Sequence, residues 1–93
     1  MPTNRQRLME LLGRDWFDLK ELSAQVGLPI KDVLHHLVHV QRSTRPPRRF
    51  LVDPAGCLDC GFVFKDRRKL GPPSRCPRCR STHLKEPRYQ VEH

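Results

Sequence analysis

Cys57-Leu58-Asp59-Cys60-Gly61 and Cys76-Pro77-Arg78-Cys79 are two Cys-x-x-Cys pairs with fifteen residues between them. Two residues between cysteines let both sulfurs of one turn point at a common centre, while the turn's backbone amides point at the thiolates. Gly61 supplies the freedom such a turn needs after its second cysteine. Two turns facing each other make a tetrahedral site of four sulfurs, closed to substrate, and the spacing matches a recurrent zinc pattern. The expectation is one structural zinc per chain, held by Cys57, Cys60, Cys76 and Cys79. Iron in the same cage and a pair of disulfides are the alternatives. The N-terminal Met1-Pro2-Thr3-Asn4-Arg5 leads into a polar amphipathic stretch and not a signal peptide. A reducing, cytoplasmic compartment is therefore expected, and disulfides are rare there. Zinc would also contribute folding energy to a segment with few apolar residues to bury.

Outward from the cysteines, Phe62-Val63-Phe64 reads as a short strand leaving the first knuckle, and Lys65 to Pro73 as the loop leading to the second. On the N-terminal side, Phe50-Leu51-Val52 reads as a strand stopped by Asp53-Pro54. On the C-terminal side, Arg88-Tyr89-Gln90-Val91 follows Pro87. Phe50 and Val52 alternate on one side, as do Tyr89 and Val91, so the two read as an antiparallel pair whose connection is the cysteine segment.

Residues 1 to about 43 read as three helices. Thr3 and Gln6 have capping-box spacing, followed by Leu8, Leu11 and Leu12 and then Gly13. Asp18 and Glu21 form a second box, opening a short helix with Leu19, Leu22 and Val26 on one edge. Gly27-Leu28-Pro29 ends it and starts a third helix. Ile30, Val33, Leu34, Leu37 and Val38 make that helix's core-facing stripe, with Lys31, Asp32, His35, His36 and His39 elsewhere on its surface. Trp16, Phe17, Phe50 and Tyr89 read as core or core-rim aromatics.

The chain has 93 residues, only 37% of them hydrophobic, so its core is small and a metal is a natural supplement. No apolar run approaches a membrane span. A large catalytic pocket is hard to build from this much chain, and no nucleophile–base pairing is visible, so no enzyme and no small-molecule substrate are expected. The net charge of +8 points to a polyanion. Its distribution is uneven. Residues 1–41 hold five basic and five acidic residues, so the whole excess lies in Arg42, Arg45, Arg48 and Arg49 and in residues 50–93.

The sequence resembles a family of small predicted transcriptional regulators, described mainly from archaea, that join a winged helix to a rubredoxin-like zinc ribbon inserted in the wing. The resemblance covers nearly the whole chain. It rests on the helical segment from Leu19-Lys20-Glu21-Leu22 to Val33-Leu34-His35-His36-Leu37, on Cys57-x-x-Cys60-Gly61-x-x-Phe64, and on Cys76-Pro77-x-Cys79-x-Ser81. It implies that the four cysteines are metal ligands and that the exposed face of the third helix reads a DNA groove.

The expected fold is α+β: a winged helix-turn-helix of three helices and a two-stranded wing (residues 1–53 with 87–93), and a small zinc ribbon between the wing strands (residues 54–86). The expected function is double-stranded DNA binding in transcriptional regulation. Lys31, His35, His36 and His39 would face the groove, Arg42, Arg45, Arg48 and Arg49 would hold phosphates, and Lys65, Arg67, Arg68 and Lys69 are secondary phosphate contacts. The rival reading is a protein-interaction module that docks a partner through the ribbon and has only generic nucleic-acid affinity. The three histidines are also close enough in sequence for two to share a metal, without a cysteine or carboxylate nearby to complete the site.

Overall fold

In the computed structural model, which describes residues 3–93, helix α1 spans Asn4–Leu12, α2 Leu19–Val26 and α3 Ile30–Ser43. The starts of the first two follow their capping boxes. The Thr3 hydroxyl accepts from the Gln6 amide at 3.1 Å, and the Gln6 side chain accepts from the Thr3 amide at 2.8 Å. Asp18 and Glu21 make the same reciprocal pair at 2.8 and 3.0 Å. Each cap contributes about 1 kcal/mol by satisfying amides that the first turn leaves free. Gly27 ends α2 in the left-handed region at φ +71°, a conformation that L side chains adopt rarely and glycine adopts freely. Three residues thus turn the chain from α2 into α3.

Strand β1 (Arg49–Asp53) pairs antiparallel with β4 (Arg88–Glu92), with Phe50 opposite Val91 and Val52 opposite Tyr89. On β4's other edge Phe17 exchanges two backbone hydrogen bonds with Tyr89, at 3.0 and 2.9 Å. β4 is therefore the middle of a sheet whose third member is this single residue between α1 and α2. Between β1 and β4 lies the cysteine segment, with its own two-stranded sheet of β2 (Gly56–Cys57) and β3 (Leu84–Lys85). The strand expected at Phe62–Phe64 shrinks to one bridge, Val63 to Gly56. The chain turns away at Lys65–Asp66 directly after it, so no second register can form.

Leu8, Leu12, Leu19, Leu22, Val33 and Leu37 are fully or nearly fully buried between the three helices, and Tyr89 and Val91 close the core from the sheet. Two assignments within α3 differ from the sequence pattern. Ile30 opens the helix at the margin and stays 42% exposed, while Val40, seven residues on from Val33, is buried in its place. Of the four aromatics, Tyr89 is buried, Phe17 and Phe50 pack against the core, and Trp16 is half-buried.

One core residue comes from the cysteine segment. Leu70 belongs to the same buried cluster as the helices, and the Tyr89 hydroxyl donates to its carbonyl oxygen. Nothing in the local sequence marks Leu70 as different from a loop leucine, because its partners lie on α3 and β4. The molecule measures 45 × 29 × 19 Å. Among the described residues no helix is long and apolar enough to cross a membrane.

Candidate metal centre and nucleic-acid interface

The four cysteine sulfurs all lie within 4.8 Å of one another. Two pairs join one cysteine from each knuckle, Cys57 to Cys79 at 3.5 Å and Cys60 to Cys76 at 3.6 Å. A disulfide needs sulfurs about 2.05 Å apart. Sulfurs about 2.3 Å from a tetrahedral centre lie about 3.8 Å apart. The separations match the second arrangement, and the pairing across knuckles is what a shared central ion requires.

The knuckles are prepared for thiolates. The Phe62 amide hydrogen-bonds to Cys60, the Arg78 and Cys79 amides to Cys76, and the Ser81 amide to Cys79. Burial pushes the Cys76 thiol up, but the Cys79 and Arg78 amides outweigh it and bring Cys76 down to about 7. The Ser81 amide favours a Cys79 thiolate, yet the hydrogen bond shared with Cys57, together with burial, pushes Cys79 up to about 12. Four acidic groups this close resist ionising together, and a divalent cation is the partner that reconciles them. The sequence predicts the four ligands, and the geometry brings all four together: the chain binds one structural zinc. A closed set of four thiolates leaves no position for a reacting water, so the metal's chemistry here is structural.

A clamp not visible in the cysteine spacing joins the knuckles. Asp59, inside the first, accepts from the Ser81 hydroxyl beyond the second, and its other oxygen lies 3.1 Å from His83 Nδ1. The Ser81 hydrogen bond, more than His83, holds the Asp59 carboxyl below its usual range. Leu58 N–H donates to the His83 carbonyl at 2.9 Å. The residue after each second cysteine is left-handed. In the first knuckle it is Gly61 at φ +80°, but in the second it is Arg80 at φ +64°.

The charged residues fall into two groups. Along α3, Lys31, His35 and Arg42 are exposed on the face opposite Val33 and Leu37, with His39 half-buried beside them. His35 and His39 rings meet edge to face at 4.9 Å, and His36 turns toward α1, where its Nδ1 accepts from Arg5 Nε at 3.4 Å. The Arg5 charge is the main reason His39 sits below the ordinary histidine pKa. Among the described residues only the four cysteines bring three or more metal-ligating atoms together, so the histidines gain no third ligand.

Past α3 the arginines diverge. Arg45 Nη1 donates to the Arg42 and Thr44 carbonyls at 2.5 and 3.3 Å, capping the helix end. Arg48 borders a hollow with Glu10 of α1, Arg14 just past it and His93, and Arg49 stands opposite Glu92 in the β1–β4 register. Both stand at the end of β1 away from the zinc ribbon, about 13 Å along the strand. Conversely, the ribbon loop comes to Arg42: Arg67, Arg68 and Lys69 line one hollow with Leu34, Val38 and Arg42 of α3. Arg67 steadies that loop by donating to the Gly71 and Pro72 carbonyls at 3.1 and 3.4 Å.

Two family models match the chain. A family model described as PF0610-like, N-terminal, matches residues 3–52, and one described as the PF0610 rubredoxin-like zinc beta-ribbon domain matches residues 54–93. The solution NMR structure of protein PF0610 from Pyrococcus furiosus is 34% identical, with a TM-score of 0.79, over 97% of this chain and 89% of that one. No curated protein matches the chain. The chain belongs to the PF0610-like family, in which three helices and small antiparallel sheets carry a rubredoxin-like zinc ribbon.

Proposed function

We propose that this protein binds double-stranded DNA as a winged-helix transcriptional regulator, with α3 facing the major groove. The observation that carries the reading is the setting of α3. It follows α2 through a three-residue turn, buries Val33, Leu37 and Val40, and leaves Lys31, His35, His39 and Arg42 on its outer side. The three-membered sheet of Phe17, β4 and β1 behind it supports the same fold, since it supplies the base from which a wing extends.

The zinc ribbon occupies the wing, and its loop supplies the phosphate contacts. Lys65, Arg68 and Lys69 are exposed and make no hydrogen bond or ion pair with another described residue. With Arg42, which lines a hollow with Arg68 and Lys69, and Lys31, about three turns earlier on the same side of α3, we read them as one band of five cations. Arg45, Arg48 and Arg49 stand outside that band. Base readout rests on Lys31, His35 and His39, because His36 is turned toward Arg5. Measuring affinity for a random-sequence duplex against salt tests the reading, and enrichment from a random pool tests whether sequence is read.

A second reading has its own observation. Leu58 and Val63 are 57% and 44% exposed and line one hollow at the first knuckle. That apolar tip suits a protein partner docking on the ribbon. Duplex binding without sequence enrichment, unchanged by Leu58→Ser, would favour it.

A further inference from the structure

Two adjoining hollows run between the ribbon loop and the body of the protein, of about 490 and 290 Å³, sharing Gln41, Leu70 and the loop from Arg67 to Gly71. Ligand sites commonly measure about 300–1,000 Å³. The first is floored by Leu34, Val38 and Leu70, and the second by Val52 and Phe64. Val52 is otherwise an unexplained apolar residue, 41% exposed on β1. The loop rests directly on α3, since a Cβ on Gly71 would come within 3.0 Å of Leu34 Cδ2.

The rims carry only positive charge. Arg42, Arg67, Arg68 and Lys69 border the first hollow, Lys65 with Arg67, Arg68 and Lys69 the second, and no Asp or Glu lines either. Burying Leu70 forces this arrangement, because the buried side chain draws its basic neighbours against the last turns of α3. Like charges gathered over an apolar floor repel one another, and apart from the two carbonyls that Arg67 holds they meet no compensating group, and no carboxylate, along the rims. A molecule that relieves both deficits has an anionic head for the rim and an apolar body for the floor.

We propose that this trough binds a small organic anion of that kind, such as a medium-chain carboxylate, with its head between Arg42 and Arg68–Lys69 and its chain over Val38, Leu70 and Val52. The site is separate from the zinc centre; it shares Arg42, Lys65, Arg68 and Lys69 with the phosphate contacts of the DNA reading but does not rest on that reading, because its readout is occupancy by the anion itself.

The test titrates the zinc-loaded full chain with decanoate below its micelle concentration, followed by amide NMR shifts. Saturable shifts confined to 34–42, 52–55 and 64–71 are expected, with decanol and decyltrimethylammonium at least about tenfold weaker. The double variant Arg68→Glu, Lys69→Glu should weaken decanoate by about tenfold or more, and Val52→Ser should weaken it too. These side chains are exposed, so unchanged amide shifts elsewhere verify the fold. Decanol binding as tightly as decanoate, shifts elsewhere in the chain, or no saturation would each overturn the proposal. So would duplex DNA moving these same amides while decanoate moves none, which would leave the trough as part of the DNA interface alone.

Discussion

The Tyr89 hydroxyl donates to the carbonyl oxygen of Leu70, and both residues lie in the core shared with the three helices. This bond ties the middle strand of the sheet to the loop between the zinc knuckles. Tyr89→Phe removes the donor and leaves the Leu70 carbonyl unpaired in a buried place, which costs about 1–3 kcal/mol. Denaturant unfolding with zinc in excess measures it. A loss near zero would mean that the loop is not held to the body.

Zinc and helix stability are coupled through the same leucine. Removing zinc frees the knuckles, and with them the loop that carries Leu70 into the core. Thermal melting followed by helical circular dichroism should shift down on chelation, although no helix touches the metal. Leu70→Ala should destabilise by about 2–5 kcal/mol with zinc bound and shrink the chelation effect on the helices. A helical melt indifferent to zinc would show two independent parts.

Arg80 occupies a left-handed position that its counterpart, Gly61, fills without strain. Arg80→Gly should therefore stabilise the zinc-bound fold by about 1 kcal/mol, and Gly61→Ala should destabilise it by a similar amount. Paired unfolding curves check both signs.

His39 titrates below the ordinary histidine value, first because of Arg5 on α1 and then through burial and the neighbouring His35, Arg42 and His36 on its own helix. A depressed folded-state value means that the folded chain binds protons less readily than the unfolded one. Its contribution to stability is complete above about pH 6.5 and is lost as pH falls through the depressed value. Arg5→Ala should raise the His39 midpoint in an imidazole NMR titration and lessen that acid-side loss. An unmoved midpoint would show that Arg5 is not the cause.

Much of this was legible in the chain. The cysteine spacing names all four zinc ligands, and the capping boxes at Thr3 and Asp18 place two helix starts, because both signals are local and carried by residue types with few other uses. Phe50 and Val52 against Tyr89 and Val91 give an antiparallel strand pair, and the structure adds its register. What escaped depends on contacts distant in sequence. The Phe17–Tyr89 bridge, the Asp59–Ser81 clamp and the burial of Leu70 each join residues at least nineteen apart. The grouping of cations shows the same limit. Arg42, Arg45, Arg48 and Arg49 are near neighbours in sequence, yet a helix end and a turn send Arg48 and Arg49 to the far end of β1, while Leu70 brings the loop cations to Arg42.

The salt dependence of duplex affinity tests the central claim most directly. Five phosphate contacts, from Lys31, Arg42, Lys65, Arg68 and Lys69, predict a log–log slope of about −4.5 for the zinc-loaded chain, reduced by about 2 in Arg68→Ala, Lys69→Ala and unchanged in Arg48→Ala, Arg49→Ala. No salt-sensitive binding at low ionic strength would contradict DNA recognition by this protein, and a slope that falls only in the Arg48, Arg49 variant would contradict the interface assigned to it.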